Sequence, residues 1–117
     1  MDSETAVKEF EKKVKEIMSR EFKSKREAVR ASKKMYRLKQ EYFKLMDYGK
    51  MQDLMWADHC PLCSYYKKRE TGCPLKEEDE GCSSCCQEWR DATNEDLRDV
   101  FEENFEILAN KIFALKE

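Results

Sequence analysis

Glycine and proline are scarce: three glycines and two prolines interrupt 117 residues. Four of these five, Pro61, Gly72, Pro74 and Gly81, lie between Cys60 and Cys82, and the fifth, Gly49, stands just before that stretch. From Met1 to Tyr48 there is neither, so nothing in that stretch forbids helix. Histidine is limited to His59. No apolar run approaches the roughly 20 residues that span a bilayer, and mean hydropathy is -0.94, which excludes a membrane-embedded fold. The opening Met1-Asp2-Ser3-Glu4 has neither the basic start nor the apolar core of a signal peptide. The expectation is a cytoplasmic protein with no membrane partner.

Charged residues reach 41%, high enough to raise disorder, but 40% of residues are apolar and they recur at regular spacing. The length suits one domain, residues 1–117. Val7, Phe10, Val14 and Ile17 follow helical steps, and Ala28, Ala31, Met35, Leu38, Tyr42 and Leu45 continue in the same heptad phase. Glu21 and Ser24 occupy the seam between the two sets. Ser24-Lys25-Arg26-Glu27 has the form of a capping box. Residues 1–48 are therefore either one long helix or two helices joined near residues 20–24. Phe22, Val29, Tyr36 and Phe43 add a second stripe, so this part should pack against two neighbours. Gly49 is read as the stop signal after Tyr48.

A further helix is expected over 93–116. Thr93 and Asn94 can cap it, Glu95 and Asp96 suit its first turn, and Leu97, Phe101, Phe105, Leu108, Ile112 and Leu115 form a stripe, with Val100 and Ile107 beside it. The predicted fold class is mainly α: a helical hairpin or small helical bundle with an irregular zinc-binding loop region, residues 56–89, between the helices. The acidic run Glu77-Glu78-Asp79-Glu80 reads as a solvated loop.

All six cysteines fall within residues 60–86: Cys60, Cys63, Cys73, Cys82, Cys85 and Cys86. Cys60-Pro61-Leu62-Cys63 and Cys82-Ser83-Ser84-Cys85 are two C-x-x-C pairs separated by 18 residues, a spacing suited to two zinc knuckles. Two intervening residues let one tight turn aim both sulfurs at one ion, and zinc takes four thiolates at tetrahedral corners. Gly72 and Gly81 each precede a cysteine, while Pro61 and Pro74 each follow one and stiffen the loop. The expected cofactor is structural Zn2+. An iron–sulfur cluster uses the same donors and stays open at this point. Disulfides would need an oxidising compartment, and the adjacent Cys85 and Cys86 make an awkward pair. His59 is read as a solvent-facing neighbour of Cys60, since four thiolates suffice. Spacing favours Cys60, Cys63, Cys82 and Cys85 as ligands.

The string Cys60-Pro61-Leu62-Cys63, Cys73-Pro74-Leu75, Gly81-Cys82 and Trp89 resembles small, mostly uncharacterised cysteine-rich proteins of phages and prophages. The likeness covers about residues 59–91. It implies Cys60, Cys63, Cys73 and Cys82 as ligands and a protein acting in host cytoplasm. The pattern places a C-x-x-C before Pro-Leu, whereas Glu70 stands here at its first position. That departure leaves Cys85 or Cys86 as substitutes.

No enzyme is expected. There is no phosphate-binding glycine-rich loop, no nucleophile spaced to use His59, and a four-thiolate zinc has no open position for water. The charge distribution separates the remaining functions. Residues 1–50 hold 15 basic against 9 acidic side chains, a balance of +6, and residues 51–117 hold 8 against 16, a balance of -8. One reading is a zinc-stapled accessory module that binds a protein partner, with the acidic C-terminal helix lying antiparallel to the basic half. The alternative is a nucleic-acid-binding protein that contacts phosphates through Arg20, Lys23, Lys25, Arg26, Arg30, Lys33, Lys34 and Arg37. Tyr36, Tyr42 and Phe43 lie among these but are read as core rather than as stacking platforms. A third reading is a thiol-based redox switch using the spare cysteines. The heptad seam serves a homodimer or a monomeric bundle equally.

Overall fold

The computed structural model describes residues 1–55, 61–62, 64–65 and 97–117. Among them are four helices, α1 (Ser3–Met18), α2 (Lys25–Phe43), α3 (Tyr48–Met55) and α4 (Arg98–Phe113), and no strand. The mainly helical bundle expected from the sequence is the fold found.

The choice left open for residues 1–48 resolves as two helices plus the start of a third. Ser19 closes α1 by donating its backbone N–H to the Lys15 carbonyl. Ser24 then opens α2: its extended backbone (φ -145°, ψ 160°) turns the hydroxyl to accept the Glu27 N–H at 3.2 Å. Glu27 reaches back one residue further than a strict capping box, accepting the Lys23 N–H at 2.8 Å. Two backbone donors are thus satisfied where the chain reverses. Ser24→Ala is expected to cost about 1 kcal/mol of stability, read as a shift of the urea midpoint. An unchanged midpoint would show that the reversal is held by packing alone.

Asp2 caps α1 in the same way, its carboxylate accepting the Thr5 N–H at 2.8 Å. That backbone hydrogen bond holds its carboxyl below the ordinary value of 3.8. A lowered folded-state value means the cap stabilises the helix fully above the unfolded value and loses this as pH falls through the folded one. The Thr5 amide resonance should therefore titrate with a midpoint below 3.8; a midpoint at or above it would remove the cap.

Helix α2 lies between α1 and α4 and is antiparallel to both. Phe10 of α1 meets Tyr42 and Phe43 late in α2, at ring-centroid distances of 6.1 and 5.6 Å, while Ser3 Oγ accepts the Asp47 N–H at 3.0 Å. On the other side Phe43 meets Phe101 (6.4 Å) and Phe105 (5.4 Å), and Tyr36 stacks on Phe105 (6.0 Å). Tyr48 of α3 closes the ring chain edge-on to Phe101 at 5.5 Å. The second stripe, Phe22, Val29, Tyr36 and Phe43, is buried throughout, as a helix with two neighbours requires. Tyr36, Tyr42 and Phe43 belong to this core and offer no face to a base.

Several expectations need correction. Gly49 does not stop a helix. Helix α2 ends at Phe43, the Leu45 and Met46 N–H groups close tight turns onto Tyr42 and Phe43, and Gly49 is the second residue of α3. Its Cα faces open space, and the first turn of a helix tolerates glycine because few intrahelical bonds depend on it. Leu45 follows the end of α2, outside its helical phase, and is 40% exposed. Leu97 is the extended N-cap residue of α4 rather than part of its stripe, and Ile107 lies on the outer face. Thr93 to Asp96, the expected start of the last helix, lie outside the described residues, and the helix ends at Phe113 rather than 116.

Candidate metal centre and basic helix face

All six cysteines and His59 lie outside the described residues. Among the described residues no group of three or more His, Cys, Asp or Glu is placed to hold a metal. What the structure does fix is the inside of the first C-x-x-C. Pro61 and Leu62, the two residues between Cys60 and Cys63, have helical backbone and fully buried side chains, and Leu62 belongs to the hydrophobic core. Tyr65 packs partly buried against the same core. Cys60 and Cys63, the neighbours of the buried Pro61-Leu62 pair in the chain, lie outside the described residues. Two residues between cysteines let a single turn present both sulfurs to one ion. The chemistry of the donor set suits a structural zinc: six thiols lie within residues 60–86.

The chain reaches Cys60 from α3, and the end of α3 is held by Lys39. This lysine is 4% exposed; its Nζ donates to the carbonyl of Met55 at 2.9 Å and stands 4.5 Å from the Tyr36 ring centroid. Met55 is the last residue of α3, where helix carbonyls lack intrahelical donors and the helix dipole is negative. Lys39 falls within the basic half of the sequence, residues 1–50, and no role was expected of it. The only signal was its position four residues after Met35 and three after Tyr36, on the buried side of α2.

The basic residues proposed for nucleic acid are scattered over several settings. Arg26, Arg30, Lys33 and Arg37 follow one stripe of α2, at helical spacing. Arg30 Nε pairs with Glu117 at 3.2 Å, and Lys33 Nζ lies 4.0 Å from the same carboxylate. The Arg37 guanidinium stands over the Phe113 ring at 5.6 Å. Lys23 and Lys25 are exposed at the α1–α2 reversal. Arg20, Arg30 and Lys34 line a groove of about 590 Å³ between α1 and α2, together with Lys13. Its floor is apolar, with Ile17, Phe22, Ala31 and Leu38, and its walls also carry Glu16, Glu21 and Glu27. Lys13, which the sequence reading passed over, stands 5.1 Å from the Tyr42 ring, and the Tyr42 hydroxyl raises its pKa.

Among the described residues, the ion pairs that join the two halves lie at one end of the α2–α4 contact. Because α4 runs antiparallel to α2, its acidic first turns lie beside the late part of α2, away from Arg26 to Arg37. Arg98 and Glu102 pair within α4 instead, at 2.9 Å. The ion pairs to α2 come from Glu117 at the far end. No helix among the described residues is long and apolar enough to cross a membrane. No protein-family model matches the chain, and neither a curated protein nor a solved structure does.

Proposed function

We propose that the chain is a non-catalytic, zinc-stapled helical module that binds a protein partner in the cytoplasm, with the α1–α2 groove as its docking face. The observation that carries this reading is the make-up of the groove: an apolar floor of Ile17, Phe22, Ala31 and Leu38 inside walls that carry both charge signs. An apolar centre with a mixed polar rim suits a protein surface. A polyanion needs continuous positive charge, and here Glu16, Glu21 and Glu27 interrupt it while Glu117 already engages Arg30 and Lys33. The cysteine segment supplies zinc ligands drawn from Cys60, Cys63, Cys73, Cys82 and Cys85, and the buried Pro61-Leu62 pair couples them to the bundle. The resemblance of the cysteine pattern to phage and prophage proteins supports a phage-encoded accessory acting on host machinery.

The test has two parts. Elemental analysis of protein purified without a metal-affinity tag should return about one zinc per chain and a colourless solution. A photo-crosslinking residue at Leu38 should then capture a defined protein, and the same probe at exposed Glu106 on α4 should not. Retention of DNA or RNA that falls steeply with salt, and falls further in Lys34→Glu, would replace this reading with the nucleic-acid one. Iron and a brown chromophore would replace the zinc.

A further inference from the structure

The groove between α1 and α2 is walled by helix along most of its length, Lys13 to Ile17 on one side and Glu27 to Leu38 on the other. Helical walls spend their backbone N–H and C=O groups internally. An extended segment laid there would find no strand edge to pair with, and would carry its own backbone groups into an apolar groove unsatisfied. A helix arrives with those groups already bonded. The floor residues Ile17, Phe22, Ala31 and Leu38 are mostly aliphatic, unlike the aromatic grooves that take polyproline segments. Ala31, small beside Phe22 and Leu38, lets a larger side chain of an occupant come close. From Glu27 to Leu38 the α2 wall runs eleven residues, about 16 Å or three turns of helix.

Charge separates the two ends. At the reversal end Arg20 and Arg30 lie with Glu21 and Glu27, and Arg30 is already paired with Glu117. At the other end Leu38 sits between two cations. Lys34 is one turn before it on α2, and Lys13 of α1 stands over the ring of Tyr42, one turn after it. Among the described residues neither lysine belongs to an ion pair, and of the acids lining the groove only Glu16 lies away from the reversal. An occupant with acidic residues beside the side chain seated at Leu38 matches this end, and one with basic residues there does not.

We infer that the groove receives an amphipathic α-helix of a partner protein, with apolar side chains at helical spacing along the floor and acidic residues flanking the one over Leu38; this rests on the docking reading above. The probes are synthetic peptides of about 16 residues, long enough for a marginal helix, measured by fluorescence anisotropy on the full-length chain. Each carries leucines at i, i+4, i+7 and i+11. One has glutamates flanking the last leucine, one has lysines there, and a third is the glutamate peptide interrupted by a central proline. The glutamate peptide should bind at least about tenfold more tightly than the lysine peptide, and the proline should abolish binding. In Lys34→Glu the preference should invert; Lys34 is exposed, so the fold survives the change. Lys12→Glu makes the same charge change on the exposed surface of α1, outside the groove, and should leave the preference as in wild type. Binding that ignores the proline, the flanking charge or Lys34→Glu would overturn the inference, as would failure of all the peptides to bind. Should the Leu38 crosslink still capture a defined protein, the docking reading would stand without the helix; with no capture either, both would fall. A dimer that Leu38→Arg dissolves would make a second copy of the chain the occupant and overturn the assignment to a partner.

Discussion

Replacing Phe101 by alanine is expected to lower the stability of the bundle by about 3–5 kcal/mol, a large part of the roughly 5–15 kcal/mol typical of a domain. Phe101 is fully buried on α4, and it is where three helices meet. Its ring faces Tyr48 of α3 edge-on at 5.5 Å, tilts against Phe43 of α2 at 6.4 Å, and stacks on Phe105 at 6.4 Å. Truncation removes the apolar area and opens a cavity that three helices would have to close together. Helix α3 has only eight residues, too short to hold itself in water, so the loss should spread to it. The measurement is urea unfolding followed by far-UV circular dichroism, comparing Phe101→Ala with Ile107→Ala. Ile107 is 45% exposed, and its truncation should cost less than about 0.5 kcal/mol. A Phe101→Ala loss below about 1 kcal/mol would mean that α3 and α4 are not coupled through this ring.

The helices were readable because their apolar positions repeat. The stripe of α1 appears in the structure as buried Phe10, Val14 and Ile17, with Val7 partly buried. The double stripe of α2 foretold two neighbours, and α1 and α4 are those neighbours. The reversal near residues 20–24 was ambiguous for a physical reason. Helical phase runs unbroken through Glu21 and Ser24, and only the local hydrogen bonds of Ser24 and Glu27 decide that the chain turns there. Helix α3 was missed because two buried methionines, Met51 and Met55, are too few to make a period, and Gly49 at its start argued for a stop.

The site divides differently. The cysteine spacing carries a chemical meaning without any structure, because thiols at C-x-x-C spacing can reach one ion from one turn. The basic residues carry less, because sequence gives their number and helical phase but not their surroundings. Glu117 is 84 residues or more from Arg30 and Lys33, and Phe113 is 76 residues from Arg37, so no local pattern announces those contacts. Lys39 is the sharpest case. A lysine at a buried helical position reads as an exception to amphipathic patterning until the carbonyl of Met55 appears beside it.

Leu62→Ala should destabilise the protein by about 2–5 kcal/mol with metal bound, and by clearly less once the metal is removed by a chelator. Leu62 is fully buried in the core cluster, yet it lies between two proposed ligands. A zinc ion held by Cys60 and Cys63 would fix the leucine between them against the bundle, so that its loss would leave a cavity unable to relax. Without the metal that support would be gone, and less of the Leu62 contact should remain for the substitution to remove. Linkage demands the reverse effect too: Leu62→Ala should weaken zinc binding by the factor that corresponds to the same coupling energy. Measured as a cycle of wild type and Leu62→Ala, each with and without metal, the coupling should fall in the range of about 0.5–3 kcal/mol found for directly interacting sites. Equal costs in both metal states would show that the Cys60-Pro61-Leu62-Cys63 turn packs on the core whether or not an ion is bound, and that the metal segment and the bundle fold as separate units.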